Sequence, residues 1–195
     1  MTSPLTARDR AKAERSDSLL HEAARLFAQR GFSGVSLEDI GSAVGVSGPA
    51  VYRHFAGKQA LLGAVLVKVS EDLLSGGTVV ADDAVDDEAR MLALIEFHVD
   101  FALGNADVIR VHDRELAHLA DEDRTQVRRL QRAYIELWIT ALAPLCTASA
   151  DELRLRVQAC FGLINSTPHS TRGAARSKRS TVAILTTMAH AALTA

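Results

Sequence analysis

Residues 36–58, SLEDIGSAVGVSGPAVYRHFAGK, decide how this chain is read. Ser36 is placed as an N-cap, and Asp39 three residues on favours the positive end of a helix over about 37–44. Gly45 ends that helix, because glycine takes the left-handed conformation at no steric cost. Ser47 caps a second short helix over about 48–55, with Pro49 in its first turn, where a missing N–H does no harm. Ile40, Val44, Val46, Val51 and Phe55 lock the two helices together from inside. Two short helices about a tight turn form a helix-turn-helix, whose second helix fits the DNA major groove. The outward residues of that helix read as Ser47, Gly48, Ala50, Tyr52, Arg53 and His54, small or polar, so the backbone can approach base edges closely.

Upstream, Leu19, Ala23, Leu26 and Phe27 recur at helical spacing, and Gly31 supplies a stop, which predicts a helix over about 16–31. Residues 1–14 read as unstructured. Arg8, Arg10, Lys12 and Arg15 there are either a flexible arm for DNA phosphates or a solvated tail. Downstream, Gly57 and Lys58 open a fourth helix with Leu61, Leu62, Val65, Leu66 and Val69 on its apolar face. Residues 75–87 read as a loop, and further helices are predicted at about 88–104, 107–119, 121–143, 150–166 and 176–193. Pro144 ends one of them, and 166–173 reads as another loop. No period-2 pattern persists. The expectation is an all-α chain of about nine helices. A three-helix DNA-binding domain (1–60) precedes a helical bundle (61–195) that binds a ligand and dimerises.

The formal net charge is −2, so a uniformly basic coat is absent. The balance is split: residues 1–60 carry about two more basic than acidic side chains, and the remainder is net acidic by about four. This asymmetry points nucleic acid toward the N-terminal part. Cys146 and Cys160 lack metal-ligand spacing and read as buried reduced thiols, in keeping with a cytoplasmic protein. The polar N-terminus lacks the apolar core of a signal peptide, and no apolar run reaches the roughly 20 residues of a membrane span. The seven histidines are scattered, and His112 and His118, six residues apart, fall on different helix faces. No phosphate-cradling glycine loop or nucleophile elbow occurs, so neither a catalytic residue, a metal site nor a cofactor is expected.

The order Ser-Leu-x-x-Ile-x-x-x-x-Gly-Val-Ser, then Val-Tyr-x-His-Phe, then Lys-x-x-Leu-Leu resembles the DNA-binding signature of the TetR repressor family, over roughly residues 16–66. The resemblance implies that Ser36, Tyr52 and His54 hold DNA phosphates. It has Lys58 add charge at a helix N-terminus, and Ser47, Gly48 and Arg53 stand where members read bases. Arg53 is the candidate for a guanine contact. Where many members carry threonine before the tyrosine and a non-proline at the second position of the helix, this chain has Gly48-Pro49-Ala50, which leaves fewer side-chain donors for bases. The partners implied are double-stranded DNA with a palindromic operator, a small-molecule effector and a second copy of the chain.

In the C-terminal part, Phe97, Phe101, Ile109, Tyr134, Trp138 and Phe161 are either cavity lining or ordinary core. His98, Asn165 and His169 are either ligand-orienting groups or hydrogen-bonded core polars. Asp113 lies in a charge-dense run, Arg110 to Glu115, suited to an anionic ligand group or to internal ion pairs. That run and the segment FGLINSTPHS at 161–170 resemble actinobacterial TetR regulators that sense acyl-CoA thioesters; an apolar drug-like effector is the alternative. Two stripes, Leu153, Val157, Phe161 and Ile164, then Val182, Leu185, Ala189 and Leu193, lie where the family forms its dimer interface, unless they face the chain's own core. An enzyme, or a DNA-associated protein without a sensor site, is the reading from another class.

Overall fold

The computed structural model describes residues 6–170 and 178–195. Two side chains singled out above, Arg8 and His169, lie outside the described residues, as does the end of the 166–173 segment. Among the described residues there are nine α-helices and no strand: α1 (Ala7–Arg30), α2 (Leu37–Ala43), α3 (Gly48–Tyr52), α4 (Lys58–Asp82), α5 (Asp87–Gly104), α6 (Ala106–Glu115), α7 (Asp121–Leu142), α8 (Ala150–Ser170) and α9 (Lys178–Thr194). Short 3-10 turns follow α6 at Leu116–His118 and α7 at Ala143–Leu145.

Five local expectations are overturned. Residues 7–14 are helical, because Thr6 caps α1 through a reciprocal pair with Asp9: Thr6 Oγ1 accepts from the Asp9 N–H, and the Asp9 carboxylate accepts from the Thr6 N–H. The expected loop at 75–87 is helix as far as Asp82. Gly76 and Gly77 do not break α4; they let large side chains lie on its backbone. A methyl at Gly76 would stand 2.5 Å from Phe97 Cζ, and one at Gly77 would stand 2.6 Å from Tyr134 Cε2. The turn to α5 comes at Asp86, whose carboxylate accepts from the Ala89 N–H at 2.7 Å. The segment from 166 also continues as helix, to Ser170, with Pro168 inside it. The hydroxyls of Ser166 and Thr167 donate to Leu163 O at 3.1 and 3.0 Å in the turn where proline supplies no N–H. Finally, α3 stops at Tyr52 rather than 55, and α6 at Glu115 rather than 119.

Two cores hold the helices. The first joins Leu19, Ala23, Leu26 and Phe27 of α1 to Val35, Leu37, Ile40 and Val51, and to Leu61, Leu62, Val65 and Leu66 of α4. It also takes in Val111, Leu119 and Val127, so α6 and α7 are packed onto the helix-turn-helix unit. The second core is centred on Met91, Leu94, Ile95, Val99, Trp138, Leu142, Val157 and Ile164, all fully buried. Helix α4 is the spine shared by both. The stripes read as a dimer face go largely into this second core: Leu153, Val157, Ile164, Leu185, Ala189 and Leu193 are all buried. Each of these two helices turns its other face outward, where Leu155 is 66% exposed, Ile184 41% and Met188 47%.

Candidate nucleic-acid interface and ligand cavity

The α2–α3 unit is tight because of two glycines. Gly45 has φ 72°, which turns the chain between the helices. Gly41, not singled out from sequence, lets α3 approach: a methyl there would stand 2.9 Å from both Val46 O and Val51 Cγ2. Ser36 caps α2, accepting from the Asp39 N–H at 3.0 Å while the Asp39 carboxylate accepts from the Ser36 N–H at 2.8 Å. These bonds hold the Asp39 carboxyl below its ordinary pKa.

Of the expected DNA-facing residues, Ser47, Tyr52 and Arg53 are exposed, while Gly48 and His54 are half-buried. Ala50 is a correction. It is buried with Val51 against α2, and Pro49 takes the outward position instead. The cause is the 3.6-residue period, which puts 50, 51 and 54 on one side and 49, 52 and 53 on the other. Tyr52 is a large aromatic left 55% exposed. Lys12 and Arg15, exposed on α1, lie near enough to His54 that, with Arg53, their charges lower its pKa; burial is the larger cause. The basic side chains of α1 and α3 therefore share one surface, carried on a helix and not on a loose arm.

Lys58 faces inward. Its ammonium donates to Phe32 O and Val35 O, both at 2.8 Å, and sits 4.5 Å from the Phe32 ring centroid. That geometry ties α4 to the α1–α2 turn and does not present the charge to solvent.

The bundle encloses a cavity of about 270 Å³ between α4, α5, α6, α7 and α8. Of the expected ligand residues, Phe101, Ile109, Asp113, Tyr134, Phe161 and Asn165 line it. Phe97 and Trp138 do not. Phe97 lies across Gly76, and Trp138 is fully buried behind the wall, edge-on to Phe161 at 4.9 Å. His98, expected as a ligand-orienting group or a core polar, does line it. Lining residues that sequence reasoning missed include Ser70, Leu73, His112 and Gln131. Their helical spacing is that of any packed face, so only the tertiary arrangement distinguishes them.

His98 organises the inner wall. Its ring stacks on Phe161 (4.6 Å between centroids) and Tyr134 (5.7 Å). Nδ1 lies 3.3 Å from the Tyr134 hydroxyl, and Nε2 lies 3.2 Å from Asn165 Oδ1. Burial pushes its pKa down to about 4, so the ring is neutral at pH 7. Burial likewise raises the Tyr134 phenol and takes the Cys160 thiol up to about 12. At the outer end Asp113, with a side chain 64% exposed, marks the mouth.

Helix α6 reaches from this cavity to the DNA-binding unit. Three residues after His112, the buried Glu115 accepts from the Phe32 N–H and pairs with His118 Nδ1 at 3.0 Å. His118 stacks on Phe32 at 4.9 Å, and its carbonyl accepts from Gln59 Nε2 at 2.9 Å. Among the described residues no group of three or more His, Cys, Asp or Glu side chains could hold a metal ion, and no single helix is long and apolar enough to cross a membrane.

Comparison with known proteins matches two family models. That described as bacterial regulatory proteins, tetR family, covers residues 19–65, and that described as a tetracyclin repressor-like C-terminal domain covers 84–169. The transcriptional repressor KstR2 of Rhodococcus jostii is 27% identical over 143 residues, covering 73% of this chain and 70% of the relative. Among solved structures, a TetR-family regulator from Bordetella parapertussis superposes with a TM-score of 0.77 at 23% identity, covering 89% of this chain and 93% of the other. AibR, solved with isovaleryl coenzyme A and operator DNA, superposes at 0.72 and 20% identity, covering 89% and 97%. At these identities the structural likenesses speak for the fold alone.

Proposed function

This chain belongs to the TetR family of bacterial transcriptional regulators, and on that premise we propose that it is a homodimeric repressor, acting in the cytoplasm, that an acyl thioester releases from its operator. It is a regulator and not an enzyme. One observation carries the effector half of the reading. Helix α6 lines the cavity with Ile109, His112 and Asp113 and, one turn on, grips the helix-turn-helix unit through Glu115. A ligand that repositions α6 necessarily bears on the α1–α2 turn.

The DNA half rests on the exposed Tyr52 and Arg53 with Lys12 and Arg15 beside them. Two such units on a palindrome bind with an affinity one unit cannot reach. The outward apolar side chains Leu155, Ile184 and Met188 supply the face for the second copy. The acyl thioester is supported by the apolar cavity, with Arg128 and Arg132, exposed on the same helix as the lining residues Gln131 and Ile135, as cations for a nucleotide's phosphates. AibR, a protein of the same fold, was solved with such a ligand. Switching requires only that the ligand favour the DNA-free arrangement by a few kcal/mol.

The test is fluorescence anisotropy of the protein on DNA from upstream of its own gene, over a salt series, with Tyr52→Ala as control. Tight, salt-sensitive binding that the variant loses and hexanoyl-CoA reverses supports the reading. Release by apolar drug-like compounds but not by hexanoyl-CoA favours the alternative effector class. DNA binding with no effector response from either class, and no ligand-induced rise in melting temperature, favours a regulator without a sensor site.

A further inference from the structure

The cavity's polar groups specify what its ligand presents at the inner end. The walls are aliphatic and aromatic: Val69, Leu73, Phe101, Ile109, Leu130 and Phe161. Among the described lining residues there is no lysine or arginine, and the one carboxylate is Asp113 at the mouth. An anion pushed past Asp113 into this interior would lose its hydration with no charge to replace it, a severe penalty.

The hydrogen-bond pattern assigns the donors. The Asn165 carbonyl oxygen only accepts, so His98 Nε2 carries the proton that bridges the 3.2 Å between them. Nδ1 of the neutral ring is then bare and accepts from the Tyr134 hydroxyl. Both hydrogens of this relay are engaged inside the wall. Of the other polar lining groups, the Ser70 hydroxyl donates to Leu66 O and Gln131 Nε2 meets His112 Nε2; Asn165, itself a lining residue, keeps Nδ2 with two N–H groups and no protein partner among the described residues. A site with an open amide donor, no lysine or arginine, and its one carboxylate beside His112 selects an uncharged acceptor.

We infer that the cavity binds a short aliphatic acyl group as an uncharged ester, thioester or amide, and excludes the free carboxylate, with Asn165 Nδ2 donating to the acyl carbonyl and the His98–Tyr134 pair holding Asn165 in that orientation. The inference rests on the sensor reading above and narrows it. The protein responds to the activated or esterified acid and is silent to the acid itself. The cavity's volume, about that of nine waters in the liquid, accommodates a chain of about six carbons.

Trp138, the chain's one tryptophan, packs on Phe161, Tyr134 and His98 of the wall and gives an intrinsic readout. Its fluorescence is titrated with hexanamide, with the N-acetylcysteamine thioester of hexanoic acid and with hexanoate at about pH 7.5, where the acid is ionised. The expected result is binding of both neutral probes at least about tenfold tighter than hexanoate. Asn165→Leu is expected to weaken the neutral probes by about the same factor. Asn165→Ala, which removes the donor without adding bulk or charge, is expected to do likewise if the leucine variant does not fold. Equal affinity for hexanoate and hexanamide overturns the inference, and so does unchanged hexanamide affinity in a folded Asn165 variant. Silence to all three probes also overturns it, even where hexanoyl-CoA releases DNA and the broader sensor reading survives. Binding of the neutral probes without release of DNA by hexanoyl-CoA supports the inference and counts against the acyl-CoA reading alone.

Discussion

Glu115 accepts a hydrogen bond from the backbone N–H of Phe32 at 3.2 Å, across 83 residues of chain. The same carboxylate pairs with His118, which lies flat on the Phe32 ring, while Lys58 holds the opposite side of that turn. Phe32 is thereby gripped by α4 and by the end of α6. Replacing Glu115 with alanine leaves a buried N–H without its acceptor, at a cost of about 2 kcal/mol, and lowers the melting temperature by roughly 4–8 °C. Glu115→Gln keeps an acceptor and loses less. Calorimetric melts of both variants check the order. In the proposed mechanism Glu115→Gln also blunts effector-driven release of DNA while leaving effector affinity near wild type.

The shared basic surface of α1 and α3 predicts how DNA binding depends on salt. Lys12→Ala and Arg15→Ala each remove one positive charge from that surface. Each should weaken binding on all DNA sequences alike and, because a dimer carries the change twice, reduce the slope of log K against log salt by about 2. Arg53→Ala should in addition relax sequence preference. A competition assay with scrambled operator DNA separates the two behaviours, and an unchanged salt slope in the α1 variants would remove α1 from the interface.

Glycines 76 and 77 are predicted to be intolerant of even a methyl group. Alanine raises helix propensity at both sites, which taken alone stabilises by up to about 1 kcal/mol. Against that, the new methyl meets Phe97 at 2.5 Å or Tyr134 at 2.6 Å, an overpacking cost of about 1–3 kcal/mol. Net destabilisation is expected for each variant in urea unfolding. Gly77→Ala, which displaces Tyr134, is also expected to alter the affinity of the cavity's ligand. A stabilised Gly76→Ala would contradict the close packing of Phe97 on α4.

His98 makes stability fall in mild acid. Its folded pKa, about 4, lies below the ordinary 6.5, so the unfolded chain binds this proton first. The stabilising contribution is complete above pH 6.5 and is lost as the pH falls from there to about 4. The amount is about 3 kcal/mol. His98→Gln should flatten the stability profile over this window, as measured by urea unfolding at a series of pH values.

Ser36, Asp39 and Gly45 act through a cap and a turn, whose chemistry involves neighbours in sequence, whereas Ser47 stands at the N-cap of α3 without a side-chain capping bond. For that reason the helix-turn-helix is legible in the amino-acid order itself. The expected loops at 1–14 and 75–87 fail for different physical reasons. Residues 7–14 are mostly helix formers, and the capping pair at Thr6–Asp9 starts α1 there; at Gly76 and Gly77 two packed aromatic rings override glycine's low helix preference. The cavity was half legible. Phe101, Ile109, Asp113, Tyr134, Phe161 and Asn165 stood out by residue type, whereas Phe97 and Trp138, of the same type, fill space elsewhere.

The amino-acid order alone determined the all-helical class, the DNA-binding unit and its family, because capping, turn geometry and helical period are local and repeat with fixed spacing. Tertiary structure decided the rest: that Ala50 and Lys58 turn inward, that the stripes of α8 and α9 form the chain's own core, and that His98 sets the orientation of Asn165 in the cavity. Those outcomes depend on which faces meet across tens of residues, and a helical period shows that a face is apolar without naming what covers it.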